Sequence, residues 1–71
     1  MYYVNKDLDV IVNLSDVKMA CIEEALSSRS TIRFSIKIEY MNDATVVLDH
    51  LTSGEAKKYF EEISNLLLTT E

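Results

Sequence analysis

The stretch from Thr31 to Tyr40, TIRFSIKIEY, decides the fold. Every second residue in it is apolar or aromatic, and the residues between are polar or charged. The apolar set is Ile32, Phe34, Ile36, Ile38 and Tyr40. A period of two places alternate side chains on opposite faces of a β-strand. The stretch therefore predicts a half-buried strand with one face on a hydrophobic core.

A second strand follows after a turn. The segment 41–43, Met-Asn-Asp, tolerates turn geometry, and residues 44–50 contain Thr and two Val residues that favour a strand. A three-residue loop sets Ile38 opposite Val46, whereas a two-residue loop would bring the acidic Asp49 opposite an apolar residue. We therefore predict an antiparallel hairpin with the three-residue loop.

A helix is predicted after this hairpin. In the segment TSGE at 52–55, the Thr52 hydroxyl can accept from the Glu55 amide while the Glu55 carboxylate accepts from the Thr52 amide. Apolar residues then recur at helical spacing and form one stripe, consisting of Ala56, Tyr59, Phe60, Ile63, Leu66 and Leu67. We expect this stripe to cover a sheet, with Phe60 and Ile63 at its centre.

The N-terminal part predicts further strands. Residues 2–4 can form a short strand, and residues 8–14 alternate between apolar and polar side chains after a turn. Residues 17–26 fit two interpretations. Their Met, Ala, Glu and Leu residues favour a helix capped at residues 15–16, while Val17, Met19 and Cys21 would share one face of a strand. We predict that residues 17–26 form a strand, and a helix remains the alternative.

These elements together predict one α+β domain spanning residues 1–71. Its sheet is an antiparallel meander of four to five strands, followed by one amphipathic C-terminal helix packed on one sheet face. Residues 24–30, which include the Ser-Ser-Arg-Ser tract, are expected to form a polar connection.

Composition excludes several classes of protein. A chain of 71 residues with 48% hydrophobic residues is too apolar to be disordered, and Cys21 has no second cysteine for an internal disulfide. No basic region is followed by a long apolar run, so we expect neither a signal peptide nor a membrane span. The cytoplasm is the expected location.

The charge balance bears on partners. Twelve acidic and seven basic side chains give a net charge of −5, and neither half of the chain is basic. Because a nucleic-acid binder clusters Lys and Arg on one face, we expect binding to neither nucleic acid nor an anionic membrane. A host protein with a basic surface remains a conceivable partner.

The residues offer little reactive chemistry. Cys21 and His50 are the sole cysteine and histidine, and they lie on separate predicted strands without the residue pattern of a nucleophile pair. A zinc site would need more ligands, and the single Gly54 cannot form a Gly-rich phosphate loop. We therefore predict no catalytic, metal-binding or cofactor-binding residues, no cofactor and no enzyme activity.

Four apolar residues are candidates for an interface instead. Adjacent strand residues face opposite sides of a sheet, so one of Tyr2 and Tyr3 should be exposed. Ile11 and Val47 each lie on the face opposite the main apolar set of their strand. Because one helix covers one sheet face, these residues predict self-association, most simply as a homodimer that forms through the uncovered sheet face or through an edge strand.

Three segments, at residues 12–17, 36–40 and 56–63, carry a resemblance. Their order of strands followed by an Ala-Lys-Lys helix resembles small one-domain proteins of low-GC Gram-positive bacteria and their phages. The resemblance implies a cytoplasmic interaction protein, in some cases phage-encoded and directed at a host or defence component.

The predicted function is thus a small acidic, non-enzymatic interaction module that self-associates. The alternative is a small enzyme or ligand-binding protein whose site forms at a subunit interface.

Overall fold

The computed structural model describes residues 1–26 and 32–69. Five strands precede one helix in the order β1 (Tyr2–Asn5), β2 (Val10–Asn13), β3 (Val17–Leu26), β4 (Ile32–Tyr40), β5 (Thr45–Leu51) and α1 (Ser53–Leu68). The α+β class is confirmed, and residues 17–26 form a strand. The predicted polar connection begins later than expected because β3 continues to Leu26, and residues 27–31 lie outside the described part.

The strands form two antiparallel sheets. β1 and β2 make a two-stranded hairpin, while β3, β4 and β5 make a three-stranded meander with β4 in the middle. The division into two sheets was not predicted. Between the sheets, the Tyr40 hydroxyl donates to the Asn13 carbonyl and the Met41 amide donates to the Asp16 carbonyl.

The predicted register of the β4–β5 hairpin is confirmed. Ile38 lies opposite Val46 and Ile36 lies opposite Leu48, so apolar residues face apolar residues. Asp43 closes the three-residue loop with a φ of 70°, a left-handed conformation that Asn and Asp adopt more readily than most residues.

β3 departs from the prediction in one respect. Val17 lies opposite Tyr40 and Met19 lies opposite Glu39, so the register shifts between Val17 and Met19. Such a bulge inserts one residue and turns the following side chains to the other face. The expectation that Val17, Met19 and Cys21 share a face is therefore wrong for Val17, which joins the side of the sheet that packs on the helix.

The capping box at the start of α1 is confirmed. The Glu55 amide donates to Thr52 Oγ1 at 3.2 Å, and the Thr52 amide donates to Glu55 Oε1 at 3.0 Å. Because the helix follows β5 directly, its start is fixed beside the end of the meander. α1 then crosses one face of the sheet and contacts all three of its strands.

One hydrophobic core lies between the helix, the meander and the hairpin. Ile36, Ile38, Leu51 and Ile63 are its most deeply buried large side chains. The expected centre of the helix stripe is confirmed for Ile63 but not for Phe60. Ile63 is fully buried, but Tyr59 is the buried aromatic residue and Phe60 is only half-buried at the side of the helix near β3.

Ile63→Ala should lower the free energy of unfolding by about 2–5 kcal/mol, because it leaves a cavity at a fully enclosed position. Phe60→Ala should lower it by less, since part of that ring is already solvated. Urea unfolding followed by circular dichroism measures both, and an equal or larger loss for Phe60→Ala would contradict this description of the core.

Candidate interaction surfaces

The outer face of the β1–β2 hairpin carries three exposed apolar side chains. Tyr2 is 64% exposed, Val4 57% and Ile11 69%. Val4 lies directly opposite Ile11, and Tyr2 is two residues before Val4 on the same strand, so the three lie on one face. We call these three residues the hairpin patch.

Two of the four candidate residues thus come together. Tyr2 and Ile11 both belong to the hairpin patch, as the alternation of strand residues predicted. Val4 was missed, although it lies two positions from Tyr2 and therefore on the same face.

Tyr3 does not belong to the surface. It is 4% exposed and packs in the core with Val12, its cross-strand partner. The expectation that one of the two adjacent tyrosines is exposed is confirmed for Tyr2, and Tyr3 is withdrawn as an interface candidate because the hairpin turns it inward.

Buried Tyr3 takes part in a polar network that fastens the hairpin to the helix. Its hydroxyl donates to Glu62 Oε1 at 2.6 Å and accepts from the Asn5 side-chain amide at 2.9 Å. The Asn5 side-chain oxygen in turn accepts from the Leu8 amide at 3.0 Å. Among residues 1–26 and 32–69, every buried side-chain nitrogen and oxygen atom has a hydrogen-bond partner, as polar groups removed from water require.

Electrostatics agree with a structural role for Tyr3. Burial, followed by the hydrogen bond to Glu62, raises the pKa of the Tyr3 hydroxyl well above its ordinary value of 10.0. The hydroxyl therefore stays protonated at neutral pH and remains a donor to the carboxylate. Nothing in this arrangement activates Tyr3 as an acid or a base.

Val47 lies on a different surface. It is 49% exposed on the face of the meander that the helix does not cover, opposite Lys37. Lys37 forms a salt bridge with Glu39 at 3.3 Å, and this contact raises the pKa of Lys37. The face around Val47 is consequently mixed in character, and Val47 also lines a shallow depression with Leu8 and Val10 of the hairpin.

A shallow groove separates the C-terminal half of α1 from the start of β3. Its lining comes from both elements and includes the apolar residues Val17, Ala20, Phe60, Leu67 and Leu68. This groove runs beside the edge of β3 that faces away from β4. The half-burial of Phe60 follows from its position there.

The reactive residues are dispersed. Cys21 lies on β3 and the exposed His50 lies on β5, with β4 between them. Strands separated by one intervening strand are roughly 9–10 Å apart, too far for a thiol–imidazole hydrogen bond. Among residues 1–26 and 32–69, no group of three or more Cys, His, Asp or Glu side chains could hold a metal ion.

His50 instead has a conformational role. Its φ of 60° accompanies the register shift between Phe34 and Ile36 in the β4–β5 ladder. The bulge restores the alternation so that Leu51 faces the core opposite Phe34.

In the described part of the chain, no helix is both long and apolar enough to cross a bilayer.

Comparisons with known proteins provide no family for this chain. No family model matches it, and no solved structure matches it. An alanine–tRNA ligase from Sulfurimonas denitrificans is 35% identical over a 63-residue alignment, and the match covers 84% of this chain and 7% of the ligase. The chain therefore spans a small fraction of that relative, and the similarity does not transfer ligase activity to it.

Tyr3→Phe should lower the free energy of unfolding by about 1–3 kcal/mol, because it removes the donor to Glu62 and leaves the buried Asn5 amide without its acceptor. The matched control is Tyr2→Phe, which removes a hydroxyl from an exposed ring and should change stability by less than about 0.5 kcal/mol. Equal effects of the two substitutions in urea unfolding would show that the network does not hold the hairpin.

Proposed function

We propose that this chain is a non-enzymatic protein-interaction module that acts in the cytoplasm as a homodimer. The observation that carries the proposed interaction role is the hairpin patch together with the dispersal of the reactive residues. Binding sites for small substrates are usually concave and combine apolar walls with converging polar groups. Here, the apolar residues instead project outward from the hairpin.

Exposed apolar side chains on the three-stranded sheet support self-association. Met19 and Ile22 on β3 and Val47 on β5 are 45%, 39% and 49% exposed. A second copy would cover part of this apolar surface.

We assign the hairpin patch, whose residues Tyr2 and Ile11 were predicted to mediate self-association, to a different protein rather than to a second copy of this chain. Acidic residues lie at both ends of the hairpin, with Asp9 in its turn and Asp16 after β2, and both are exposed. An apolar patch bordered by carboxylates complements an apolar spot bordered by Lys and Arg, and the net charge of −5 would speed such an encounter. The resemblance to phage-encoded proteins makes a host or defence protein the expected partner.

Sedimentation equilibrium of the unmodified chain tests self-association. We expect the mass of two chains at concentrations of tens to hundreds of micromolar, with dissociation on dilution. A mass of one chain across that range would contradict the proposed homodimer.

A pair of matched substitutions tests the hairpin patch. Ile11→Lys introduces a charge into the patch, while Met41→Lys introduces one at an equally exposed apolar residue in the β4–β5 turn. A purified partner protein should bind the unmodified chain and the Met41→Lys variant with equal affinity. It should bind the Ile11→Lys variant at least about tenfold more weakly. Binding of Ile11→Lys with unchanged affinity would exclude the patch as the docking surface. Both variants should retain the dimer.

A further inference from the structure

The edge of β3 that faces away from β4 pairs with no strand among the described residues. β3 is ten residues long, and its bulge is confined to the first three positions. Natural edge strands are usually short, bulged, charged or covered, because their unpaired amides and carbonyls template further pairing. Residues 19–22, Met-Ala-Cys-Ile, are uncharged and regular. We call this side of β3 the open edge.

The directions of the backbone groups on β4 follow from two hydrogen bonds. The Tyr40 amide donates to the Ala44 carbonyl towards β5, and the Met41 amide donates to the Asp16 carbonyl on the other side. Since backbone groups alternate in direction along an antiparallel strand, odd-numbered residues of β4 bond to β3.

The directions of the backbone amides and carbonyls on β3 can then be assigned. Cys21 lies opposite Lys37 and Glu23 lies opposite Ser35, so the odd-numbered residues of β3 direct their backbone groups towards β4. The amides and carbonyls of Ala20, Ile22 and Glu24 therefore point to the open edge.

We propose that the open edge pairs with the same edge of a second copy, antiparallel and with the two-fold axis at Cys21. This inference rests on the proposed homodimer and identifies its interface. The two meanders would join into one six-stranded sheet, with both helices on the same face.

Side-chain complementarity selects this register. Ala20 lies opposite the partner subunit's Ile22, so two small or apolar residues meet on the helix side of the sheet. Met19 lies opposite the partner subunit's Glu23. The bulged Lys18 lies at the end of the ladder beside the partner subunit's Glu24, which places unlike charges together at both ends of the interface. Each contact occurs twice because of the two-fold axis.

The neighbouring registers are less complementary. An axis at Ile22 would set Cys21 opposite the partner subunit's Glu23 and Ala20 opposite the partner subunit's Glu24, bringing four carboxylates into the apolar middle. An axis at Ala20 would set the charged Lys18 opposite the partner subunit's apolar Ile22. Neither of these two registers places Lys18 opposite a carboxylate of the partner subunit.

The surroundings of the open edge fit a second copy. Ile22 lies on the helix side of β3 yet is 39% exposed, and Met19 on the other face is 45% exposed. The apolar groove beside β3 ends at Leu68, which is also exposed. A strand added at this edge would cover apolar side chains on both faces of the sheet.

Cross-linking of Cys21 tests the register. At the two-fold axis, Cys21 would form a pair without mutual hydrogen bonds, with Cα atoms about 4.5 Å apart, within the roughly 4.4–6.8 Å range of disulfides. Copper(II)–phenanthroline accepts the two electrons released as two thiols lose their protons and form the S–S bond. We expect most of the chain to run as a cross-linked dimer on a non-reducing gel within minutes.

The control carries its one cysteine elsewhere. In Cys21→Ser/Met41→Cys, the thiol lies in the β4–β5 turn, and it should cross-link at least about tenfold more slowly although the chain still sediments as a dimer. If the unmodified chain sediments as a dimer but cross-links no faster than this control, the register is overturned while the proposed function stands. If the unmodified chain sediments as one chain, the proposed homodimer itself fails.

A charge exchange tests the pairing of Lys18 with the partner subunit's Glu24. Lys18→Glu or Glu24→Lys alone places like charges beside each other twice and should raise the dimer dissociation constant roughly tenfold. The double variant Lys18→Glu/Glu24→Lys should restore it to within about threefold. Single variants that dimerise like the unmodified chain, or a double variant weaker than both, would contradict this register.

Discussion

In the described part of the chain, a single helix of sixteen residues has to close the core of five strands, and the remaining structure depends on this constraint. α1 covers one face of the β3–β4–β5 meander, with Ile63 and Tyr59 against the central strand region. The β1–β2 hairpin supplies the rest of the cover by turning Tyr3 and Val12 inward. Because the hairpin has only two strands, it needs further contacts with the helix to stay packed on the core. The buried network of Tyr3, Asn5 and Glu62 provides these contacts.

The same constraint determines what stays exposed. Turning Tyr3 inward turns Tyr2 and Ile11 outward, since neighbouring strand residues face opposite sides. The crossing of α1 leaves a groove along β3, and no strand of the described chain covers the outer side of β3. The hairpin patch and the open edge therefore arise from one cause, a small core with one helix. They differ in character, because the patch offers side chains and the edge offers backbone groups.

Much of the fold could be predicted from local patterns, for identifiable physical reasons. The alternation around Ile36 and Ile38 fixes a strand, and the apolar matching of Ile38 with Val46 fixes the loop length. The capping box at Thr52 fixes the helix start. The division into two sheets and the bulge at Lys18 escaped prediction because they depend on contacts distant in sequence, such as Met41 with Asp16. The Tyr3 network escaped it for the same reason, since Glu62 is 59 residues away.

The candidate surfaces were only partly accessible to sequence reasoning. Tyr2 and Ile11 could be found because their strands alternate, whereas the open edge could not, since strand order is a tertiary property. Helix-favouring residues such as Met19 and Ala20 also obscured β3, whose pairing with β4 outweighs their helix propensity.

Amide hydrogen exchange at β3 tests most directly the claim that two copies join at this edge. The amides of Ala20 and Ile22 point to the open edge, so their protection should rise with protein concentration in step with the dimer fraction. The amides of Val46 and Leu48, which pair with β4 inside each chain, should show no such rise. Rapid exchange of the Ala20 and Ile22 amides at concentrations where sedimentation shows a dimer would contradict the account.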